Sequence, residues 1–285
     1  MRSHRHEIVC VWLRGKILEL YSEYKALQIE KRRAVMVITL HNPPMNASFP
    51  AMHLELSHIF STINRDPEVK VVVLTGAGDR AFSAGGDVKN MLRRLTTADH
   101  AAWLRGMREA KDLVYSILRL EKPLITRING HAMGLGATLA VLGDFSYMIE
   151  TAQIADTHVK VGLTAGDGGS MMWPLLMGFM NAKRYLLTGD ALTGKEAADI
   201  GLITGSAANM QELDELCFGM ADRLARGATL AVNATKASIN ILLRRLLEGV
   251  MEAHLGAETL TYLSKDHLEA AKAFSEKRTP DFKGE

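Results

Sequence analysis

The sequence predicts an α/β fold in which strands and helices alternate and the strands pair largely in parallel. Two patterns support this class. Short β-branched and apolar runs, such as residues 35–40 and 71–75, are typical of buried strands. Segments with apolar residues every three or four positions, such as residues 52–63, are typical of amphipathic helices and separate those runs. Because strands connected through helices usually lie parallel, this alternation favours βα units.

The elements follow in a regular order from Val35, the first residue of the first predicted strand. The helix at 52–63 ends before Asp66-Pro67, where proline prevents its continuation. We divide the chain into an N-terminal extension (1–24), for which a mitochondrial presequence is the alternative, a core (25–205) and a C-terminal helical region (206–285). Beyond residue 75 the patterns predict helices at 88–95 and 97–120, a strand at 123–128, a helix at 135–142, a strand at 145–150, a helix at 169–177, and a nearly all-helical tail from about 212.

The composition is that of an ordinary globular protein. The 285 residues are 47% hydrophobic and 23% charged, with a formal net charge of +2. The basic residues are scattered, which gives little support for nucleic-acid binding. The most apolar region, 124–149, is interrupted by Arg127, His131 and Asp144, so no membrane-spanning segment is expected.

Cysteine and histidine usage indicates neither a disulfide framework nor a metal site. Cys10 and Cys217 are far apart and lack C-x-x-C spacing, and the histidines show no H-E-x-x-H spacing. We therefore expect a cytoplasmic protein without a bound metal.

One glycine-rich segment matches the dinucleotide pattern G-x-G-x-x-A. It is Gly76 to Ala81, which follows a predicted strand. A dinucleotide-binding turn opens directly into a helix, whereas here the loop continues through more glycines at Gly85 and Gly86. We interpret Gly76 and Gly78 as residues of an ordinary turn.

Two further loops share a different property. Ala84-Gly85-Gly86-Asp87 leads into the predicted helix at 88–95, and the segment 129–134 leads into the apolar helix that begins at Leu135. Small residues let a ligand approach the backbone, and the N–H groups where a helix begins lack partners within it. Two such N–H groups that point at one carbonyl oxygen form an oxyanion hole. Asp87 alternatively caps its helix.

The pair of segments Phe82-Ser83-Ala84-Gly85-Gly86-Asp87 and Asn129-Gly130-His131-Ala132-Met133-Gly134-Leu135-Gly136 resembles the paired signature of the crotonase (enoyl-CoA hydratase/isomerase) superfamily. The resemblance extends from about Leu27 to Lys283. It implies a superhelix of repeated ββα units with a C-terminal helical trimerisation region. It also implies a homotrimer or homohexamer that acts on an acyl-CoA, with coenzyme A as part of the substrate and no separate cofactor.

The resemblance also implies roles for particular residues. The backbone N–H groups of Gly86 and Leu135 would form the oxyanion hole. The last predicted helix, 264–277, carries Leu268, Ala271 and Phe274 on one face and suggests packing against another subunit; an ordinary helix face is the alternative for Phe274 and Lys277. The residues implied to contact substrate or coenzyme A are Ala84, Gly85, Asp87, Gly134 and Thr138, with Phe274 and Lys277 supplied by a neighbouring subunit.

The sequence departs from the family at the two positions where enoyl-CoA hydratases carry catalytic glutamates. Thr138 and His158 stand there instead, which puts a two-glutamate mechanism in doubt. We predict that His158 and Asp167 act as a catalytic pair, because imidazole titrates near neutral pH and a carboxylate fixes its tautomer. The alternative for Asp167 is a helix cap. We expect Thr138 to bond its own helix backbone and His131 to be a wall residue.

Three functions agree with these residues. The first is an enoyl-CoA hydratase or isomerase that works through an oxyanion-stabilised enolate. The second is a β-diketone hydrolase that cleaves a C–C bond by a retro-Claisen reaction. The third is an acyl-CoA-binding homologue with little catalysis.

Overall fold

A computed structural model describes residues 20–285 of the chain. The N-terminal extension proposed for 1–24 therefore lies almost entirely outside the described residues. The remaining chain forms two sheets, with helices packed on them.

The larger sheet has six strands. Its first strand runs antiparallel to the second, with Leu27 opposite Leu40, and the remaining neighbours are parallel. The predicted α/β class with parallel pairing is thus confirmed. In sheet order the strands are β1 (Leu27–Arg32), β2 (Val35–Leu40), β3 (Val71–Gly76), β5 (Leu124–Ile128), β7 (Phe145–Ile149) and β10 (Gly205–Ala207).

The smaller sheet consists of four short strands, three of which directly follow a strand of the larger sheet. Its order is β4 (Ala81–Ser83), β6 (His131–Met133), β8 (Gln153–Ala155) and β9 (Leu192–Thr193). The first three are parallel, and β9 is antiparallel to β8. Since β4, β6 and β8 directly follow β3, β5 and β7, the chain repeats a strand–strand unit, as the family resemblance implies.

Ten α-helices occur in the described residues, and every predicted helix is present within a few residues of its expected bounds. The predicted helix at 97–120 begins later, because the Asp99 side chain accepts a hydrogen bond from Ala102 N and caps it. The helices are α1 (Pro50–Asn64), α2 (Val88–Thr96), α3 (His100–Arg119), α4 (Leu135–Val141), α5 (Gly169–Met177), α6 (Phe179–Thr188), α7 (Gly194–Asp199), α8 (Met210–Ala225), α9 (Thr229–Tyr262) and α10 (Lys265–Glu276). None of them is both long and apolar enough to cross a membrane.

The two faces of the larger sheet bury different side chains. Successive residues of a strand point to opposite faces. Ile38 and Leu74 belong to the larger apolar cluster, whereas Val37 and Val73 belong to a second cluster with Cys217 of α8. Helices on both faces explain why the strands read as continuous apolar runs. The parallel strands also bring the loops that follow β4 and β6 to the same edge.

Candidate active site

The two glycine-rich loops are in direct contact. Gly85 has φ +80°, and a Cβ atom there would lie 2.5 Å from the Met133 carbonyl oxygen and 3.3 Å from the Leu135 nitrogen. Ser48 N donates to the Gly85 carbonyl oxygen at 2.7 Å and fixes the loop from its other side. Only glycine combines this backbone conformation with so close an approach.

The backbone N–H groups of Gly86 and Leu135 border one cleft of about 230 Å³. Within residues 20–285, neither N–H donates a hydrogen bond to the protein. Gly134, with φ +52°, turns the chain into α4 just before Leu135. Both donors are therefore available to a ligand, which is what an oxyanion hole requires.

His158 and Asp167 lie together in the same cleft. His158 Nε2 is 3.6 Å from Asp167 Oδ2, and both side chains are buried. Thr138 Oγ1 donates to Asp167 Oδ1 at 3.0 Å, so the expectation that Thr138 bonds its own helix backbone is wrong. The cap of α5 is Gly168, without a side-chain hydrogen bond, so Asp167 does not have the capping role considered as its alternative.

Asp156 belongs to this cluster, although the sequence analysis did not single it out. Its Oδ1 lies 2.6 Å from His158 Nδ1 and accepts a hydrogen bond from His158 N at 3.2 Å. The other oxygen, Oδ2, is buried and has no hydrogen-bond partner in the described part of the chain. A Cβ on Gly169 would overlap this oxygen, so the glycine leaves room for it. The D-x-H spacing was the available sequence signal.

Glu258 completes the cluster from α9. Its side chain borders the cleft and is 3% exposed, and Oε2 has no hydrogen-bond partner among the described residues. A Cβ on Gly166 would lie 2.7 Å from Oε2, which shows how closely the loop before Asp167 packs on α9. Sequence reasoning missed Glu258 because one glutamate in a long helix resembles any solvent-facing one.

Burial and mutual charge shift the protonation of all four groups. Burial disfavours the charged form of His158, but Asp156 and then Asp167 outweigh it and raise the pKa of the imidazole well above 6.5. Burial acts to raise the pKa of Asp156, yet His158 keeps it below its ordinary value. Burial raises the pKa of Asp167. Burial, opposed by His158 and reinforced by Asp167, raises the pKa of Glu258 to about 8.

These pKa shifts place a protonated carboxyl, that of Glu258, close to a carboxylate with a lowered pKa, that of Asp156. With a pKa of about 8, the Glu258 carboxyl holds its proton at neutral pH, and Asp156 and Asp167 favour the charged form of the imidazole. Titratable groups whose environments move their pKa values apart are the arrangement that acid–base catalysis needs. The cluster can therefore accept a proton at one carboxylate and supply one from another.

The other sequence-predicted residues take different positions. Ala84 and Asp87 border the cleft, but Asp87 Oδ1 accepts hydrogen bonds from Lys89 N and Asn90 N and so caps α2. His131 Nδ1 accepts a hydrogen bond from Gln153 N at 3.1 Å, and His131 does not border the cleft. Phe274 is 58% exposed near the end of α10 and does not border this cleft.

Comparison with known proteins gives one consistent result. The family model described as enoyl-CoA hydratase/isomerase matches residues 30–285. The chain is 31% identical over 264 residues to crotonyl-CoA hydratase of Syntrophomonas wolfei, which covers 91% of this chain and 98% of that protein. It is 32% identical over 258 residues to (E)-benzylidenesuccinyl-CoA hydratase of Thauera aromatica, covering 90% and 98%. A crystal structure of an enoyl-CoA hydratase/isomerase from Mycobacterium paratuberculosis superposes with a TM-score of 0.83 at 32% identity, covering 88% of this chain and 99% of that one.

Proposed function

The chain belongs to the enoyl-CoA hydratase/isomerase family, and we propose that it hydrates or isomerises the double bond of an enoyl-CoA through an enolate held by Gly86 and Leu135. One observation carries the proposal. Gly86 and Leu135, whose N–H groups have no hydrogen-bond partner among the described residues, border the same cleft as His158, Asp167 and Glu258. Carbonyl polarisation and proton transfer are the two operations that this reaction class combines.

In hydration, the oxygen of water forms a bond to C3 of the enoyl group. The electron pair of the C2–C3 double bond moves towards the thioester oxygen, where the N–H groups of Gly86 and Leu135 stabilise the negative charge. Asp167 accepts the proton that water loses, and Glu258 gives a proton to C2. Transfer of a proton from Asp167 to Glu258 then restores the cluster. The step is redox-neutral and needs no separate cofactor.

This assignment places the acid–base groups away from the two positions that the family ordinarily uses. The sequence resemblance places Thr138 and His158 at those positions, and both side chains contact Asp167. We propose that Thr138 and His158 hold Asp167 in place as a base. Asp156 in turn holds the imidazole of His158 through its Nδ1 atom and favours its charged form.

The β-diketone hydrolase remains the second candidate, because the contact between His158 and Asp167 also suits attack of water on a ketone carbonyl. Its enolate leaving group would occupy the same N–H groups. A screen of enoyl-CoAs beside cyclic β-diketones separates the two functions. Turnover of diketones alone would refute the enoyl-CoA assignment, and acyl-CoA binding without turnover would favour a binding-only homologue.

The oxyanion hole is tested by Gly86→Pro, which removes one backbone donor. A matched control keeps that donor: Gly86→Ala adds a Cβ that would overlap only the end of the flexible Met91 side chain, so it is made together with Met91→Ala. We expect Gly86→Pro to lower kcat roughly 100- to 1,000-fold and the control to lower it much less. Circular dichroism verifies folding. A folded Gly86→Pro variant as active as the control would contradict the assignment.

We further propose a cytoplasmic homotrimer or homohexamer in which Phe274 and Lys277 of one subunit contact coenzyme A bound to a neighbour. The exposed Phe274 and the exposed Leu260 and Leu263 near the end of α9 support an interface at this end of the chain. Light scattering after size-exclusion chromatography measures the assembly. A monomer at micromolar concentration would contradict it.

A further inference from the structure

Arg94 places an unpaired positive charge in the cleft. It lies in the last turn of α2, is half-buried and borders the cleft. In the described part of the chain its guanidinium makes no ion pair and donates no hydrogen bond, whereas the adjacent Arg93 donates to Asn90 Oδ1 at 2.7 Å. Asp99, five residues on, instead uses Oδ1 to cap α3. A half-buried arginine without a partner leaves its donors open to a ligand.

The position of Arg94 is fixed by its neighbours on α3 and α9. Its Nη1 lies 4.0 Å from where a Cβ on Gly106 would be, so the guanidinium rests against the α3 backbone. Its charge acts on Tyr262 of α9 and favours the ionised phenol, although burial dominates and raises the pKa of Tyr262. Trp103 of α3 stacks on Tyr262 at 3.7 Å between ring centroids. The guanidinium therefore lies at the Trp103 end of the cleft.

Arg94 borders the same cleft as His158, Asp167 and Glu258. Glu258 and Tyr262 are four residues apart on α9, so they share a face and are separated by roughly 6 Å along the helix axis. Met107 and Leu163 also border the cleft, so part of its wall is apolar. An acyl group bound at Gly86 and Leu135 would therefore lie in the same cleft as Arg94.

Other charges near this end do not cancel that of Arg94. Glu109 also borders the cleft, but its carboxylate lies 2.7 Å from His53 Nδ1. Arg105 borders the cleft and is exposed, and it adds a second positive charge without an ion pair among the described residues. The far end of the cleft therefore favours a negatively charged ligand group.

We propose that the acyl group of the substrate carries a carboxylate at its far end and that Arg94 binds it. This inference rests on the proposed function, because it assigns the substrate class of the same site. A guanidinium can bind a carboxylate through two parallel hydrogen bonds, whereas a neutral acyl chain would leave the half-buried charge unpaired. Arg94 is thus a specificity-determining residue and not part of the proton-transfer cluster.

The test compares enoyl-CoAs of equal length that end in a carboxylate or in the isosteric carboxamide, over a series of lengths. We expect wild-type kcat/KM to favour the carboxylate by roughly tenfold or more at the best length. Arg94→Gln should bring this ratio close to one through loss on the carboxylate alone. Arg93→Gln is the matched control, since it removes an equal charge from the same last turn of α2, and it should keep the wild-type ratio.

Each contrary result overturns the inference in a recognisable way. Equal wild-type rates on both substrates would refute it while leaving the proposed function intact. An equal loss on both substrates in Arg94→Gln, together with weaker inhibition by free coenzyme A, would assign Arg94 to the coenzyme A portion. If no enoyl-CoA is turned over, the proposed function fails, and calorimetric binding of the two acyl-CoAs still measures the charge preference on its own.

Discussion

Replacing Glu258 with glutamine is expected to change how both stability and activity depend on pH. The folded protein holds a proton on Glu258 up to a pKa of about 8, mainly because the side chain is buried. In the unfolded chain the same group titrates near its ordinary value of 4.5. Between these two values the folded state binds one more proton than the unfolded state, so the free energy of unfolding falls as pH rises.

The size of this effect follows from the separation of the two values. One proton corresponds to about 1.4 kcal/mol for each pH unit. Once the pH exceeds 8, Glu258 therefore lowers the free energy of unfolding by about 5 kcal/mol relative to its value at low pH. Glutamine has nearly the same shape and does not titrate. The stability of Glu258→Gln relative to wild type should therefore increase by roughly 3 kcal/mol from about pH 5.5 to about pH 7.5.

Denaturant unfolding at several pH values and one fixed protein concentration measures this difference. Glu248→Gln is the matched control, because Glu248 lies on the same helix but is exposed; its relative stability should stay constant across the range. If the stability difference for Glu258→Gln does not change with pH, Glu258 does not hold a proton in the folded protein.

The same variant tests the role of Glu258 as the acid. In the wild type, kcat should fall as the pH rises through about 8, since the ionised carboxylate has no proton to give. In Glu258→Gln, kcat should be roughly 100- to 10,000-fold lower, and this alkaline decline should disappear. A variant whose profile runs parallel to that of wild type would remove Glu258 from the mechanism.

Two further substitutions test the supports of the site. In Asp156→Asn the nearest carboxylate to His158 Nδ1 is lost, so the pKa of the imidazole should fall. The same variant should have a lower kcat with little change in KM. NMR titration of His158 measures the pKa, and an unchanged value would contradict the assignment. In Gly136→Ala a Cβ would overlap the Ser83 carbonyl oxygen and push the two loops apart, so the protein should lose about 1–3 kcal/mol of stability and most of its activity. Gly219→Ala in α8, where a Cβ meets nothing within 4 Å, is the control for thermal melting and should be neutral or stabilising.

The four inner strands of the larger sheet were predictable because most of their residues are buried, whereas the edge strands β1 and β10 were not predicted, so the expectation that the first strand begins at Val35 is wrong. Val35–Leu40 and Val71–Gly76 are buried on both faces, so their sequences are continuous apolar and β-branched runs that stand out from the helices. The smaller sheet was not predicted strand by strand. A strand such as His131–Met133 has three residues, too few for alternation to appear, and its identity depends on the neighbours that pair with it.

Thr138 shows where local reasoning gives the wrong partner. A threonine inside a helix commonly bonds the carbonyl one turn earlier, and the sequence provides no reason to expect otherwise. In the structure, Asp167 lies on a loop that is distant in sequence, and its Oδ1 accepts a hydrogen bond from the Thr138 hydroxyl at 3.0 Å. A buried carboxylate is a stronger acceptor than a carbonyl that is already bonded within its helix, so the tertiary contact replaces the local one.

The carbonyl-binding groups and the proton-transfer groups of the site differ in how well the sequence predicts them. Carbonyl binding uses backbone N–H groups. These groups are left exposed by a positive φ at Gly85 and Gly134 and by close contact between two loops. Both conditions require glycine at fixed local positions. In the proposed mechanism, proton transfer depends on Glu258, whose pKa is raised by burial against a loop far from it in sequence. The same glutamate on the exposed face of α9 would look identical in the sequence. The motif therefore predicts the carbonyl-binding step, whereas the proposed acid is defined only by how α9 packs against the loop that carries Gly166.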